Sequence, residues 1–233
     1  MRVLVACEYS GRVRDAFLAQ GHAALSCDLL PTDQPGPHYQ GDVMEIIDEG
    51  WDLMIAHPPC TYLTCSAEWA YGDGPYHQKL KPGTLVGSDR RIARLQAIKF
   101  VQAIWTARIP RIAIENPVGV LSSRWRKPDQ FIQPYEFGED ASKKTGLWLK
   151  GLPPLRPTTL IEPRWVCCGR VLPEGVGKYV CPDCCGEKKA HPRWGNQTDS
   201  GQNRESPSPD RWKTRSTTWQ GWADAMAAQW GTE

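Results

Sequence analysis

The stretch Arg2-Val3-Leu4-Val5-Ala6, followed by Cys7-Glu8-Tyr9-Ser10-Gly11, the segment Arg12 to Gln20, Gly21, and then Ala23-Ala24-Leu25-Ser26-Cys27-Asp28, decides the fold. Its two ends are apolar runs of strand length. Between them a short amphipathic helix, Gly11 to Gln20, is closed by Gly21. Strand, glycine turn, helix and strand make a βαβ unit. Further along, Asp42 is placed to cap a helical turn over Val43 to Glu49, and Trp51 to Ala56 reads as a buried strand. From Asp89 to Ala107 the apolar positions Ile92, Leu95, Ile98, Phe100, Val101, Ile104 and Trp105 keep nearly helical spacing. That spacing predicts a helix against the sheet, with Arg90, Arg91, Arg94 and Lys99 turned elsewhere. Arg111 to Ile114 is a further strand, so the fold class expected is α/β.

Open α/β sheets keep their chemistry at the carboxyl ends of their strands. Two such ends carry reactive groups. The strand to Ala56 runs into His57-Pro58-Pro59-Cys60-Thr61-Tyr62-Leu63-Thr64-Cys65-Ser66, and the strand to Ile114 runs into Glu115-Asn116-Pro117. Successive prolines fix φ and extend the residue before them, so the backbone aims the Cys60 thiol. Tyr71 to Ser88, rich in Gly, Pro and Lys, is expected to be a long mobile loop that closes over a substrate.

The chain has 233 residues, 40% of them hydrophobic, with 21 glycines and 20 prolines, which suits one sizeable core plus a small irregular appendage. Its apolar runs are too short for a membrane span, and the amino terminus begins as a strand with no cleavable signal pattern, so a cytoplasmic location is expected. Nine cysteines then point to thiol chemistry or metal and away from disulfides. Residues 1 to 120 carry 11 Lys+Arg against 13 Asp+Glu, and residues 121 to 233 carry 17 against 13, so a polyanionic partner should meet the later half. Several of the 11 tryptophans stand beside basic residues, as in Arg124-Trp125-Arg126-Lys127, Arg164-Trp165, Arg193-Trp194 and Arg211-Trp212-Lys213. Such pairs suit phosphate contact with base stacking, or else aromatics that pin loops to the core beneath solvated neighbours.

Proline and glycine accumulate from Gly151, and Gly195 to Asp210 is polar, which predicts a disordered linker or a loop ordered only by its partner. Between them lie Cys167-Cys168-Gly169 and Cys181-Pro182-Asp183-Cys184-Cys185-Gly186. Thiolates three positions apart can reach one Zn²⁺, and a pair from Cys167 and Cys168 would complete a four-sulfur site. Cys185 or His191 is an alternative ligand. Zinc can supply on the order of 10 kcal/mol to a segment too poor in apolar residues to order itself. The segment Arg215 to Trp230 reads as a capped, alanine-rich helix whose Trp219, Trp222, Met226 and Trp230 form one packing face.

Taken together these pieces resemble DNA cytosine carbon-5 methyltransferases. Pro58-Pro59-Cys60 with Thr64-Cys65-Ser66 is similar to the family's nucleophile motif, and Glu115-Asn116 to its Glu-Asn-Val motif. The compactness resembles the small phage-encoded members. Ala6 to Gly11 stands in place of the glycine-rich first motif, Asp28 ends the second strand, Gly41-Asp42-Val43 matches the third motif, and the terminal Arg-Ser-Thr-Thr helix the last. The resemblance implies a Rossmann-like S-adenosylmethionine-dependent fold over residues 1–150 plus 211–233, with residues 151–210 a small zinc-binding and target-recognition insert. It implies Cys60, Glu115 and Asn116 as catalytic, and Cys7, Glu8, Tyr9, Ser10, Gly11, Asp28, Asp42, Val43 and Pro58 as cofactor-binding. The implied partner is DNA, with cytosine flipped out of the duplex at a cost of a few kcal/mol, and a monomeric enzyme is expected.

In that chemistry the Cys60 thiolate adds to carbon 6 of cytosine, carbon 5 attacks the cofactor's methyl group, and Glu115 bonds nitrogen 3 and the exocyclic amine. A base then removes the carbon-5 proton. Taken singly, Pro-Pro-Cys also suits a turn with a buried thiol, and Asp28 and Asp42 suit a turn residue and a cap. Cys7, Cys27 and Cys65 suit small core positions. Three departures stand out: only one glycine in the first motif, His57 where the family has a small residue, and no paired-arginine motif, with Lys143, Lys144 and Thr145 in its region. Two other readings stay open: a nucleic-acid-binding zinc protein on a degenerate scaffold, and methylation of cytosine in RNA or a nucleotide.

Overall fold

Alternate residues of a strand face opposite ways, and the three central strands are apolar on both faces. The computed structural model describes residues 1–77, 79–80, 82–172, 181, 183–184, 189–206, 208 and 211–232. Seven strands form one sheet: β1 (Arg2–Ala6), β2 (Ala23–Asp28), β3 (His38–Gln40), β4 (Leu53–Ala56), β5 (Arg111–Pro117), β6 (Gln130–Ile132) and β7 (Thr145–Lys150). Their order is β3-β2-β1-β4-β5-β7-β6, parallel through β5, with β7 antiparallel to both β5 and β6. This is a Rossmann-like α/β sheet, as expected.

Leu4, Met54, Ile112 and Ile114 face α2 (Gly87–Thr106), where Ile98, Val101 and Ile104 cover them, with Leu121 of the short α3 (Leu121–Arg124) in the same cluster. Val3, Val5, Leu53, Ile55 and Ala113 face the other way, beneath Val13 and Phe17 of α1 (Arg12–Ala19) and Trp222, Met226 and Trp230 of α5 (Gln220–Trp230). The tryptophan face read from the carboxyl-terminal segment is thus a core face, with Trp219 packed at its edge. No helix among the described residues is long and apolar enough to cross a membrane.

Several local expectations are corrected. On α2, Ile92 and Leu95 are more than half exposed while Arg90 and Arg94 are buried. Arg94 bonds Glu68 at 2.6 Å and the Tyr62 carbonyl at 3.0 Å, and lies over the Tyr71 ring. Arginine stems and guanidinium planes pack like apolar surface when their donors are met, which changes the buried face over the first turns of α2, while Ile98, Val101 and Ile104 are buried as expected. The helical turn after Asp42 stops at Glu45 as a 3-10 turn, still capped by the Asp42 carboxylate, which accepts from Met44 N at 3.0 Å. The terminal helix is two pieces: α4 (Arg211–Ser216) ends before α5, whose N-cap is Trp219 with no side-chain cap. Cys65 is exposed, whereas Cys27 is buried as expected. The start of the Tyr71 to Ser88 segment is tied down by Arg91, which bonds the Tyr71 carbonyl at 2.7 Å and Asp73 at 2.9 Å.

A second sheet, order β10-β8-β9, is formed by β8 (Arg164–Cys167), β9 (Arg170–Val171) and β10 (His191–Arg193). It is fastened to the core by internal contacts. Trp194 stacks on Tyr135 with ring centroids 4.5 Å apart, Gly195 N donates to Asp140 at 2.7 Å, and Asn196 exchanges two hydrogen bonds with the Ser142 backbone at 3.0 Å. The described start of the polar segment, residues 195–203, is thus bonded to the protein itself and closed by a bridge between Gln197 and Asn203; residues 207, 209 and 210 lie outside the described residues. Three of the four tryptophans beside basic residues follow the packing alternative: Trp125 lies between Trp105 and Trp148, Trp165 packs on the cysteine cluster, and Trp194 lies on Tyr135, while the Trp212 side chain lies outside the described part of the structure.

Candidate active site and metal cluster

β4 and β5 are neighbours in parallel register, Ala56 beside Ile114, so their exits stand side by side. The structure brings Cys60 and Glu115 to that place. Four hydrogen bonds hold the Cys60 turn: His57 N donates to the Ala6 carbonyl at 2.9 Å, Asn116 Nδ2 to the Pro58 carbonyl at 2.8 Å, and Leu63 N and Thr64 N to the Cys60 carbonyl at 2.9 and 3.1 Å. Gly119 closes the turn from the β5 side. A Cβ there would lie 2.0 Å from the Leu63 carbonyl oxygen, so only glycine allows this approach.

His57 Nδ1 lies 3.0 Å from Glu115 Oε2, with side chains 8% and 11% exposed. The other nitrogen, Nε2, and the other oxygen, Oε1, are both buried without a hydrogen-bond partner, as is Asn116 Oδ1. Burial pushes the Glu115 carboxyl up, but the His57 hydrogen bond and the Lys143 charge outweigh it, so it lies below the usual carboxylate range. Burial holds the Cys60 thiol above its ordinary value; Lys143 and Arg215 oppose that and Glu115 adds to it. Of the three residues in the region of the missing arginine motif, Lys143 faces the site, Lys144 lies over the Phe131 ring, and Thr145 is buried. Lys143 Nζ donates to the Arg215 carbonyl at 3.3 Å.

The strand order reverses between β1 and β4, where α/β sheets open a ligand crevice. The turn after β1 enters it through two left-handed residues, Cys7 and Gly11. Burial, then Asp28, Cys27 and Asp42, pushes the Cys7 thiol upward, which places the two carboxylates around the same crevice. Asp28 is half-buried, its carboxyl raised by burial although Leu30 N donates to it at 3.0 Å. Val43 is buried next to Asp42, and the Pro58 carbonyl is taken up by Asn116 Nδ2. Glu8 and Tyr9 point elsewhere. The Glu8 carboxylate is buried at the α1 N-terminus, accepting from Val13 N at 2.8 Å, Arg14 N at 3.3 Å and Ser10 Oγ at 3.1 Å. Tyr9 OH donates to the Lys213 carbonyl at 2.6 Å and so ties the β1 turn to α4. The 7–11 backbone, Asp28, Asp42 and Val43 are the residues at this crevice that could hold a ligand.

A cleft of about 620 Å³ opens beside this site, lined by Arg12, Lys143, Arg204 and Arg215 with Asn196 and Trp219. Among the described residues its one acidic lining residue is Glu205. Arg12, Arg204 and the His57–Glu115 bond were not singled out from the sequence. His57 and Glu115 are 58 positions apart, so no local spacing announces the bond.

In the small sheet the thiols of Cys167, Cys168, Cys181 and Cys184 all lie within 4.8 Å of one another. Tetrahedral Zn–S bonds of about 2.3 Å put neighbouring sulfurs about 3.8 Å apart. Cys167 Sγ is 3.8 Å from both Cys168 Sγ and Cys184 Sγ. Adjacent cysteines converge because Cys168 takes a left-handed conformation, φ 52°, with Gly169 following at 78°. Burial and the neighbouring thiols push Cys167 up to about 12. His191 is exposed on β10 and outside the group; Cys185, the other alternative ligand, lies outside the described residues.

No protein-family model and no curated protein matches the chain. Among solved structures there is a likeness. It is to an E. coli prophage protein described as a candidate DNA modification methyltransferase, at 13% identity and a TM-score of 0.41. The match covers 69% of this chain and 52% of that one, so this chain spans about half the length of the matched structure.

Proposed function

We propose that this chain is an S-adenosylmethionine-dependent methyltransferase that acts on carbon 5 of cytosine in DNA, with Cys60 as nucleophile. The observation that carries the reading is the pairing of Cys60 with Glu115 at adjacent strand exits, where Glu115 Oε1 is buried and has no partner. A buried polar atom without a partner is costly, and a ligand donor would relieve it. Cys60 would add to carbon 6, and Lys143 and Arg215 would favour its thiolate. Glu115 would accept from the exocyclic amine and pass a proton to nitrogen 3 as charge builds on the ring. Asn116 would hold the turn.

The cofactor would lie in the β1/β4 crevice, against the Cys7 to Gly11 backbone, with Asp28 and Asp42 toward its hydroxyl and amine groups and Val43 and Pro58 as apolar walls. When bound it supplies an electrophilic methyl group. The basic cleft suits the sugar-phosphate backbone of the target strand. In the division proposed, residues 1–150 and 211–233 form the catalytic part and residues 151–210 a zinc-stapled insert, with Zn²⁺ on Cys167, Cys168, Cys181 and Cys184.

The test is methyl transfer from labelled S-adenosylmethionine to unmethylated duplex DNA, with nucleoside mass spectrometry and Cys60→Ala alongside. 5-Methylcytosine from the wild type alone supports the reading; its absence from both removes it. One observation favours the second reading, a non-catalytic nucleic-acid-binding protein: Glu8 fills the α1 N-terminus with the chain's own carboxylate. That reading expects DNA binding indifferent to S-adenosylhomocysteine. The first expects S-adenosylhomocysteine binding that weakens on Asp28→Ala or Asp42→Ala.

A further inference from the structure

The residues of the proposed site leave one step without a group: carbon 5 must lose a proton once it holds the methyl group. A side-chain base for that step needs a lone pair, a place beside the Cys60 thiol, and a partner for the charge it acquires. His57 meets each requirement. Its Nδ1 lies 3.0 Å from Glu115 Oε2. An ionised carboxylate only accepts, so Nδ1 carries the hydrogen and the lone pair of the neutral ring falls on Nε2. Nε2 is buried with no hydrogen-bond partner. A carboxylate on Nδ1–H with a bare Nε2 is the arrangement by which a buried acid orients a histidine base and steadies its imidazolium. His57 and Cys60 stand three residues apart across Pro58-Pro59, which holds their Cα atoms within about 11 Å. Carbons 5 and 6 share a bond, so a base for one belongs beside the thiol for the other.

We propose that His57 Nε2 is the base that removes the carbon-5 proton. The inference rests on the methyltransferase reading and adds a catalytic residue to it. After methyl transfer, carbon 5 holds both the methyl group and its hydrogen. Nε2 takes that hydrogen as a proton, the C–H electron pair forms the double bond between carbons 5 and 6, and the bond from carbon 6 to Cys60 breaks with its pair on sulfur. Nitrogen 3 returns its proton to Glu115, and the imidazolium later gives the carbon-5 proton to solvent. Until that return Glu115 is ionised, so the imidazolium forms while its partner is charged. The other charged groups around the pair are Lys143 from the segment before β7, which carries no lone pair while protonated, and Asp28 at the end of β2, on the far side of β1.

Two measurements test this on the full chain with unmethylated duplex DNA. The first needs no cofactor: reversible addition of Cys60 lets carbon 5 exchange its hydrogen, and in D₂O nucleoside mass spectrometry reads deuterium entering cytosine. Wild type is expected to exchange, and His57→Asn and His57→Gln to do so about 100-fold more slowly or less, the scale of a general base. His57→Asn keeps an amide N–H toward Glu115, so the carboxylate is still held, yet neither variant has a basic lone pair. The second uses labelled S-adenosylmethionine. The variants are expected to transfer one methyl group and then stay attached, giving a methylated adduct of DNA with Cys60 on denaturing gels and in peptide mass spectra. Deuterium at carbon 5 should slow its release further. A merely structural His57 would slow addition and release together and build up no adduct. Exchange at the wild-type rate in a variant, or release of 5-methylcytosine without accumulated adduct, overturns the proposal. Melting temperature and S-adenosylhomocysteine affinity show which variant folds, and either variant decides. Neither exchange nor transfer by the wild type overturns the methyltransferase reading itself, and the role of His57 with it.

Discussion

Asn116 Nδ2 donates to the Pro58 carbonyl oxygen at 2.8 Å, so the exit of β5 holds the turn that carries Cys60. Neither exit is set independently of the other. The approach of Gly119 to Leu63 adds a second tie between the same two segments.

Asn116→Ala is therefore expected to lower kcat at least tenfold while S-adenosylhomocysteine affinity stays within about twofold. Leaving the Pro58 carbonyl unpaired should cost about 1–3 kcal/mol of stability. Denaturant unfolding and steady-state kinetics on one preparation check both; an unaltered kcat would show that the tie does not position Cys60.

Thiol reactivity at Cys60 should still be climbing at a pH where an ordinary thiol has levelled off, because burial holds the group up. Lys143→Met removes an opposing charge and should slow iodoacetamide alkylation at neutral pH by several-fold, with a later rise in the profile. Equal rates in the two proteins would separate Lys143 from the thiol.

Acid stability has a definite sign. The Glu115 carboxyl is lower in the folded state, so its contribution is present above the unfolded carboxylate range and is lost as pH falls through the folded value. Glu115→Gln should flatten the acid limb of a stability profile measured by chemical denaturation at a series of pH values. A limb as steep as the wild type's would mean that other carboxylates dominate.

Metal analysis of the purified protein should return about one zinc per chain, and Cys181→Ser or Cys184→Ser should reduce it to near zero. Arg164, at the start of β8, donates to the Trp194 and Gln197 carbonyls at 2.9 and 3.1 Å, so the cluster's sheet also holds one wall of the basic cleft. Chelation should accordingly expose the segment around residue 200 to limited proteolysis while α5 stays protected.

Glu8→Ala should cost about 1–2 kcal/mol, the scale of losing a helix cap. The same variant weighs the two functional readings: stronger S-adenosylhomocysteine binding would mean that the Glu8 carboxylate competes with the ligand.

The sheet was legible because its strands are short apolar runs between glycine turns, and the α5 face because Trp222, Met226 and Trp230 repeat at helical spacing. Cys60 and Glu115 were legible as strand exits. What escaped is what tertiary contact decides. Arg90 and Arg94 look like solvent residues until Tyr62, Tyr71 and Glu68 receive them. Glu8 and Tyr9 sit in the turn after β1, yet their side chains serve α1 and α4. The convergence of Cys167 and Cys168 depends on a left-handed residue that composition does not signal.

The packing of α5 over Val13 and Phe17 of α1 and the adjoining face of the sheet has a consequence in time. During synthesis the sheet's first strands and α1 emerge roughly two hundred residues before their cover does, a gap of ten seconds or more at about 5–20 residues per second. For that interval an apolar surface stands bare. A nascent chain stalled before Trp222 should recruit holding chaperones, and release of the completed chain should free them.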